Sequence, residues 1–127
     1  MQSMRRDWKA QPELRNEELA ELYFKSPHPQ ILDDITVRVT KVHDGDTITV
    51  EWSQRDFEFP VRFAYIQAPE LNEEGGHESR DWLKGRIEGK EVDLIINREN
   101  RVGKFGRLIA TVFGDGENMN EALVREG

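Results

Sequence analysis

The feature that most constrains this chain is a pair of alternating runs on either side of Val42-His43-Asp44-Gly45-Asp46-Thr47. Val37, Val39 and Val42 carry the apolar side before it. Ile48, Val50 and Trp52 carry it afterwards, alternating with Thr47, Thr49 and Glu51. A period of two marks a strand with one buried face, so the segment predicts a hairpin whose turn is acidic. Aspartates at i and i+2 in extended backbone point to one face, and Gly45 is free to adopt a positive φ. Two readings of the turn stand side by side. Its carboxylates suit a hard cation bound through oxygen; an Asp-Gly hairpin turn explains the same residues without a metal.

With 127 residues the chain is long enough for one domain plus an appendage, and for a core that needs no staples. It has no cysteine, which excludes disulfides and thiolate metal sites. No apolar run is long enough to span a membrane, and Met1 to Arg6 lead into charged residues instead of a signal-like apolar stretch. A cytoplasmic protein or a mature secreted form is therefore expected, with no membrane partner. The formal net charge is −7, and from Thr36 onward 13 basic residues face 18 acidic ones. That balance argues against broad nonspecific binding to nucleic acid and leaves room for a small basic cleft.

Residues 1–34 differ in kind from the rest. Pro12 precedes a run of helix formers with Leu19, Leu22 and Tyr23 at i, i+3 and i+4, and Ser26-Pro27-His28-Pro29 ends it. A short amphipathic helix on a proline-bearing linker is expected, packing on the main domain or serving a protein partner or dimer. The main domain is then 35–127. After the hairpin, 57–66 forms a third extended run in which Arg62 points away from Val61 and Phe63. Such an arginine suits a solvated edge or an ion pair. Gln67-Ala68-Pro69-Glu70 stops this strand and fixes Glu70 just beyond a rigid turn.

A helix is expected over 78–88, with Trp82, Leu83 and Ile87 inward and Gly89 closing it. Val92, Leu94 and Ile96 mark a fourth strand. The loop after it places Arg98, Arg101, Lys104 and Arg107 within ten residues around Phe105. It reads as a solvated hairpin loop or as a phosphate-facing arm, since guanidinium forks match phosphate oxygens. Residues 108–113 form a fifth strand, Gly114-Asp115-Gly116 turns, and Asn118 with Glu121 caps a last helix. His28, His43 and His77 are too scattered for a histidine metal site. The order predicts a mainly β, α+β architecture: a five-stranded OB-fold Greek-key barrel, with one helix between strands 3 and 4 and another at the C-terminus.

Asp44-Gly45-Asp46-Thr47, Arg62, Ala68-Pro69-Glu70, Lys104-Phe105-Gly106-Arg107 and Asn120-Glu121-Ala122-Leu123-Val124-Arg125 occur in an order and spacing that resemble the staphylococcal nuclease (thermonuclease) family. The resemblance covers about 36–127. It implies an OB-fold, calcium-dependent phosphodiesterase, an endonuclease acting on DNA or RNA held in a cleft. By the same resemblance Asp46 is a calcium ligand supported by Asp44, and Arg62 and Arg107 hold the scissile phosphate. Glu70 is the general base or the group that orients water, while Lys104 and Phe105 contact phosphate or nucleic acid. Two departures bear on this. Gln67 stands where the family has a second calcium carboxylate, which implies weak Ca²⁺ binding; Gly103 and Phe105 replace an aspartate and a tyrosine. The alternative is a degenerate module of the same fold that binds nucleic acid or a protein without cutting.

Overall fold

Strand β1 (Ile35–Asp44) pairs antiparallel with β2 (Thr47–Glu51), which pairs antiparallel with β3 (Phe59–Phe63). The computed structural model describes residues 13–16, 18, 19, 26, 28–64, 76–103 and 107–126. Helix α1 (Gly76–Ile87) follows, then β4 (Glu91–Ile95), a 3-10 turn (Arg98–Asn100), β5 (Leu108–Gly114), the short β6 (Glu117–Asn118) and α2 (Met119–Glu126). Strand β4 joins the other edge of β1 and pairs with β5. Strand β5 then runs parallel to β3, with Val61 opposite Leu108 and Phe63 opposite Ala110. That last pairing closes the sheet into a five-stranded mixed barrel, the OB-type architecture expected, and removes its open edges.

Alternation in the sequence becomes the barrel interior. Val37, Val39, Val42, Ile48, Val50, Phe59, Val61, Phe63, Val92, Leu94, Leu108, Ala110 and Val112 are all buried, and Leu83 and Ile87 of α1 complete the core from one end. The register of β1 against β2 slips at Thr40 and again at His43. Each slip puts two residues of β1 against one of β2, and such bulges add the bend that a small closed barrel needs. Gly114 leaves room for Val92 of β4 and Ile87 of α1: a Cβ there would sit 2.6 Å from Val92 Cγ1 and 3.6 Å from Ile87 Cγ2.

Both helices end or begin as their residues dictate. Gly89, at φ 81°, leaves α1 through the left-handed region, and its N–H donates to Val39 O at 2.8 Å. The Asn118 side chain accepts from Glu121 N at 3.1 Å and caps α2. The β5–β6 turn has Asp115 at φ 52° and Gly116 at φ 82°, the primed hairpin geometry that an Asp-Gly pair favours. The acidic β1–β2 turn is built differently, because positive φ among the described residues occurs only at Gly89, Asp115 and Gly116. Gly45, free to take a positive φ, does not use that freedom.

Of the helix expected within the first 24 residues, Asn16, Glu18 and Leu19 have helical backbone, while Leu22 and Tyr23 lie outside the described residues. The described part of 13–34 is fastened to the barrel. Leu14 and Ile31 are fully buried, Asp34 Oδ1 accepts from Ile96 N at 2.8 Å, and Arg98 donates to Leu32 O and Asp33 Oδ1 at 3.1 and 2.7 Å.

Candidate active site

Because Asp44 pairs with Thr47, only Gly45 and Asp46 remain to make the β1–β2 turn. This tight loop turns Asp46 inward until 5% of the residue is exposed. Asp46 N donates to Asp44 Oδ1 at 3.1 Å, and Thr47 Oγ1 donates to Asp46 Oδ1 at 3.1 Å. Phe63 N donates to Asp46 O at 2.8 Å, which locks the turn to the end of β3. Two carboxylates are thereby brought together by turn hydrogen bonding, not by the pleat of an extended strand. Burial, followed by the neighbouring Asp46 carboxyl, raises the Asp44 carboxyl above the ordinary aspartate range.

Arg62 lies directly across from this turn. It pairs with Thr47 on β2 and with Ile109 on β5, so it sits in the middle of three adjacent strands. Its side chain is 36% exposed, and Nη2 lies 3.5 Å from Asp46 Oδ2. Of the two roles the sequence allowed, an ion pair is the one observed. Arg107 enters β5 two residues before Ile109, and its carbonyl accepts from Gly103 N at 2.8 Å. The strand pairing brings Asp44, Asp46 and Arg62 to one end of the barrel, and Arg107 stands at the start of the strand that runs beside Arg62.

Four residues singled out in the sequence, Gln67, Glu70, Lys104 and Phe105, lie outside the described residues. The anchor of the first segment is visible. Asn120, 7% exposed, donates from Nδ2 to Ala64 O at 2.8 Å and accepts at Oδ1 from Val112 N at 2.9 Å. One side chain thus ties α2, β5 and the end of β3, where the chain departs toward Gln67 and Glu70. Within the sequence Asn120 is legible as the start of the last family motif, but not as a tie between strands.

The donor chemistry near the turn is carboxylate oxygen, which fits a hard cation better than a soft one. Among the described residues no three His, Cys, Asp or Glu side chains gather as a metal site, so a cation here requires further ligands. His43 Nε2 lies 2.6 Å from Thr49 Oγ1, and His77 Nδ1 lies 3.3 Å from Arg80 Nη2.

The loop after β4 does not present all its cations as one phosphate-facing arm. Arg98 reaches back to Leu32 and Asp33, and Arg101 is 1% exposed. The Arg101 guanidinium donates to Glu13 Oε1 at 2.6 Å, Leu14 O at 2.5 Å and Ile31 O at 2.8 Å. Glu13 Oε2 in turn accepts from Arg55, whose guanidinium lies 4.5 Å from the Phe59 ring centroid and 5.6 Å from that of Trp52. Burial first, and the Arg101 charge second, pull the Arg55 guanidinium down to about 9; burial chiefly pulls Arg101 down to about 10. Both stay cationic at neutral pH. Sequence reading missed this cluster because its three members are 42 and 88 residues apart and each resembles an ordinary surface charge.

Comparison with known proteins agrees with the geometry. Residues 60–127 match the family model described as staphylococcal nuclease homologue. A protein of Escherichia coli named as an uncharacterized endonuclease is 36% identical over 100 residues, covering 78% of this chain and 62% of its own. One of Haemophilus influenzae with the same name is 33% identical over 92 residues, covering 72% of this chain and 49% of its own. Endonuclease YncB of Bacillus subtilis is 27% identical over 99 residues, covering 73% and 46%. The chain therefore spans about half to three-fifths of the length of these relatives. With the family model covering more than half of its residues, and the barrel closed as described, the chain belongs to the staphylococcal nuclease homologue family.

Proposed function

We propose that this chain hydrolyses phosphodiester bonds of DNA or RNA at the barrel end formed by the acidic turn, Arg62 and the entry to β5. The observation that carries this reading is the β3–β5 pairing, which sets Arg62 beside the strand that Arg107 enters, with the Asp46 carboxylate facing it. Two guanidiniums beside a pair of carboxylates can bind a phosphate diester while leaving a place for a cation. The endonuclease names of the relatives support the same reading.

In this proposal Asp46 and Asp44, with the Gln67 amide oxygen, hold Ca²⁺. When bound, the ion polarises a phosphate oxygen and offsets negative charge in the transition state. Arg62 and Arg107 orient the diester by forked hydrogen bonds and neutralise charge as it develops. Arg62 pairs with Asp46 at 3.5 Å, the same carboxylate that would help hold the cation. Glu70 accepts a proton from, or orients, the attacking water. Lys104 and Phe105 contact the polynucleotide. Because Gln67 lacks a charge, calcium binding is weaker than a third carboxylate would give, by a few kcal/mol at an effective dielectric of about 20.

The test is calcium titration by calorimetry on the wild-type chain and Gln67→Asp with a nucleotide 3′,5′-bisphosphate present, followed by plasmid cleavage on the same samples. Calcium-dependent cutting is expected, with tighter calcium binding in Gln67→Asp. Arg107→Ala is expected to cut about 10²–10³-fold more slowly. If oligonucleotide binds in a salt-sensitive way but is never cut at millimolar calcium, the nuclease reading fails. A binding module, which the net charge of −7 disfavours only for broad nonspecific contacts, takes its place.

A further inference from the structure

We infer that Glu13 is a positioning residue: by holding Arg101 it fixes the neck of the 102–107 loop, and through the neck it sets where Arg107 stands. The inference rests on the proposed role of Arg107 at the phosphate and adds to it a device lying outside the site. Three hydrogen-bonded steps carry the connection. Glu13 Oε1 accepts from Arg101 Nη2 at 2.6 Å, and Arg101 O accepts from Ile109 N at 2.8 Å. Val102 then bridges to Leu108, and Gly103 N donates to Arg107 O at 2.8 Å. Glu13 and Arg107 are thus connected through a short, nearly fully bonded ladder.

The guanidinium at the base of that ladder has no latitude. It is 1% exposed, and its donors are taken by Glu13, by Leu14 O and by Ile31 O, two carbonyls from separated parts of the N-terminal segment. Glu13 is itself fixed from the other side. Its Oε1 also accepts from Ile31 N at 2.9 Å, and its Oε2 accepts from Arg55, which belongs to the β2–β3 connection. One carboxylate therefore ties the neck of the basic loop to the strand connection that precedes Arg62. A rigid neck matters because a guanidinium aids phosphoryl chemistry only when held close to its productive position.

A purely structural Glu13 would lower the folded fraction and leave each folded molecule as active as before. A positioning Glu13 acts through Arg107, so its loss and a change at Arg107 do not add. The experiment compares wild type, Glu13→Gln, Arg107→Lys and the double variant as full chains, below their melting temperatures, reading kcat and KM on a short DNA duplex with calcium. Glu13→Gln is expected to lower kcat roughly 10-fold with little change in KM, and to lower it much less in the Arg107→Lys background. Arg101→Lys, which keeps the cation and loses the fork, should give the same pattern if Glu13→Gln folds poorly. Equal fold losses in both backgrounds overturn the inference.

Amide hydrogen exchange supplies a readout that does not require cleavage. Exchange at Gly103 N should accelerate in Glu13→Gln relative to Val39 N, whose bond to Lys90 O at 2.9 Å lies elsewhere in the barrel. If both amides accelerate in proportion, Glu13 acts on global stability alone and the inference fails. If wild type does not cut DNA or RNA, the nuclease reading falls by itself, and the exchange ratio alone decides whether Glu13 governs the loop.

Discussion

Two arginine–carboxylate clusters in this molecule use the same chemistry in opposite ways. In the buried one, Arg55 and Arg101 clasp Glu13 with side chains 0–1% exposed. In the open one, Arg62 is 36% exposed and stands 3.5 Å from Asp46. Removing two guanidiniums and a carboxylate from water is costly; carbonyls and the single carboxylate satisfy Arg101, while Arg55 Nε and Nη1 have no hydrogen-bond partner and the guanidinium lies against aromatic rings. In the open pair the Asp46 carboxylate is buried and accepts from Thr47, while the Arg62 side chain keeps about a third of its surface exposed. Tight pairing builds the frame; the longer pair leaves its guanidinium partly in solvent.

The most direct way to break the comparison is to delete each carboxylate or arginine in turn. Glu13→Ala leaves two buried guanidiniums facing each other and is expected to destabilise the chain by about 3–5 kcal/mol, read as a shift in the urea midpoint with an unchanged slope. A loss below about 1 kcal/mol would mean that the cluster rearranges or hydrates freely. Arg62→Ala should change stability by no more than about 1 kcal/mol, since the Arg62 side chain is itself 36% exposed and Asp46 keeps the hydrogen bond from Thr47. Its cleavage rate should nevertheless fall about 10²-fold under the proposed function. A large stability loss there would erase the distinction drawn between the two clusters.

A third, exposed cluster sharpens the scale from below. Arg86 bridges Asp115 and Glu117 at 2.5 and 3.0 Å, and Arg125 reaches Glu117 at 2.8 Å. The hydrogen bond from Arg86 holds Asp115 below its ordinary 3.8, and that from Arg125, then Arg86, holds Glu117 below 4.5. Depressed acids stabilise the fold above their unfolded pKa values, and that contribution is lost as pH falls through the folded ones. Urea midpoints measured from about pH 6 down to about pH 3 should therefore decline more steeply in wild type than in Arg86→Gln. Equal slopes would show that these ion pairs add nothing.

The barrel was readable because strand alternation is local. Val37, Val39, Ile48, Val50, Val61 and Phe63 declare a buried face within each run, and Gly89 and Asn118 mark helix ends by properties of their own backbone and side chain. Asp-Gly was less informative. At 115–116 it makes the primed turn such a pair favours, whereas at 44–45 hydrogen bonds from Asp46 N and Phe63 N set a turn with no positive φ. Motif order brought Asp46, Arg62 and Arg107 into one reading, yet nothing local announced that Arg98 and Arg101, in the same basic run, face the N-terminal segment.

What the sequence by itself determined is the set of strands, their buried faces, the helix caps and the family, because these depend on periodicity, on single-residue backbone preferences and on an ordered set of motifs. Only the tertiary structure decided which charges are buried and which stay open. Glu13, Arg55 and Arg101 become one cluster because β5 closes on β3 while the N-terminal segment lies against the loops beyond them. Ion pairing acts over a few ångströms in space and carries no periodic trace along the chain, so closure of the barrel, not composition, separates the arginines buried in the frame from Arg62, which stays partly exposed.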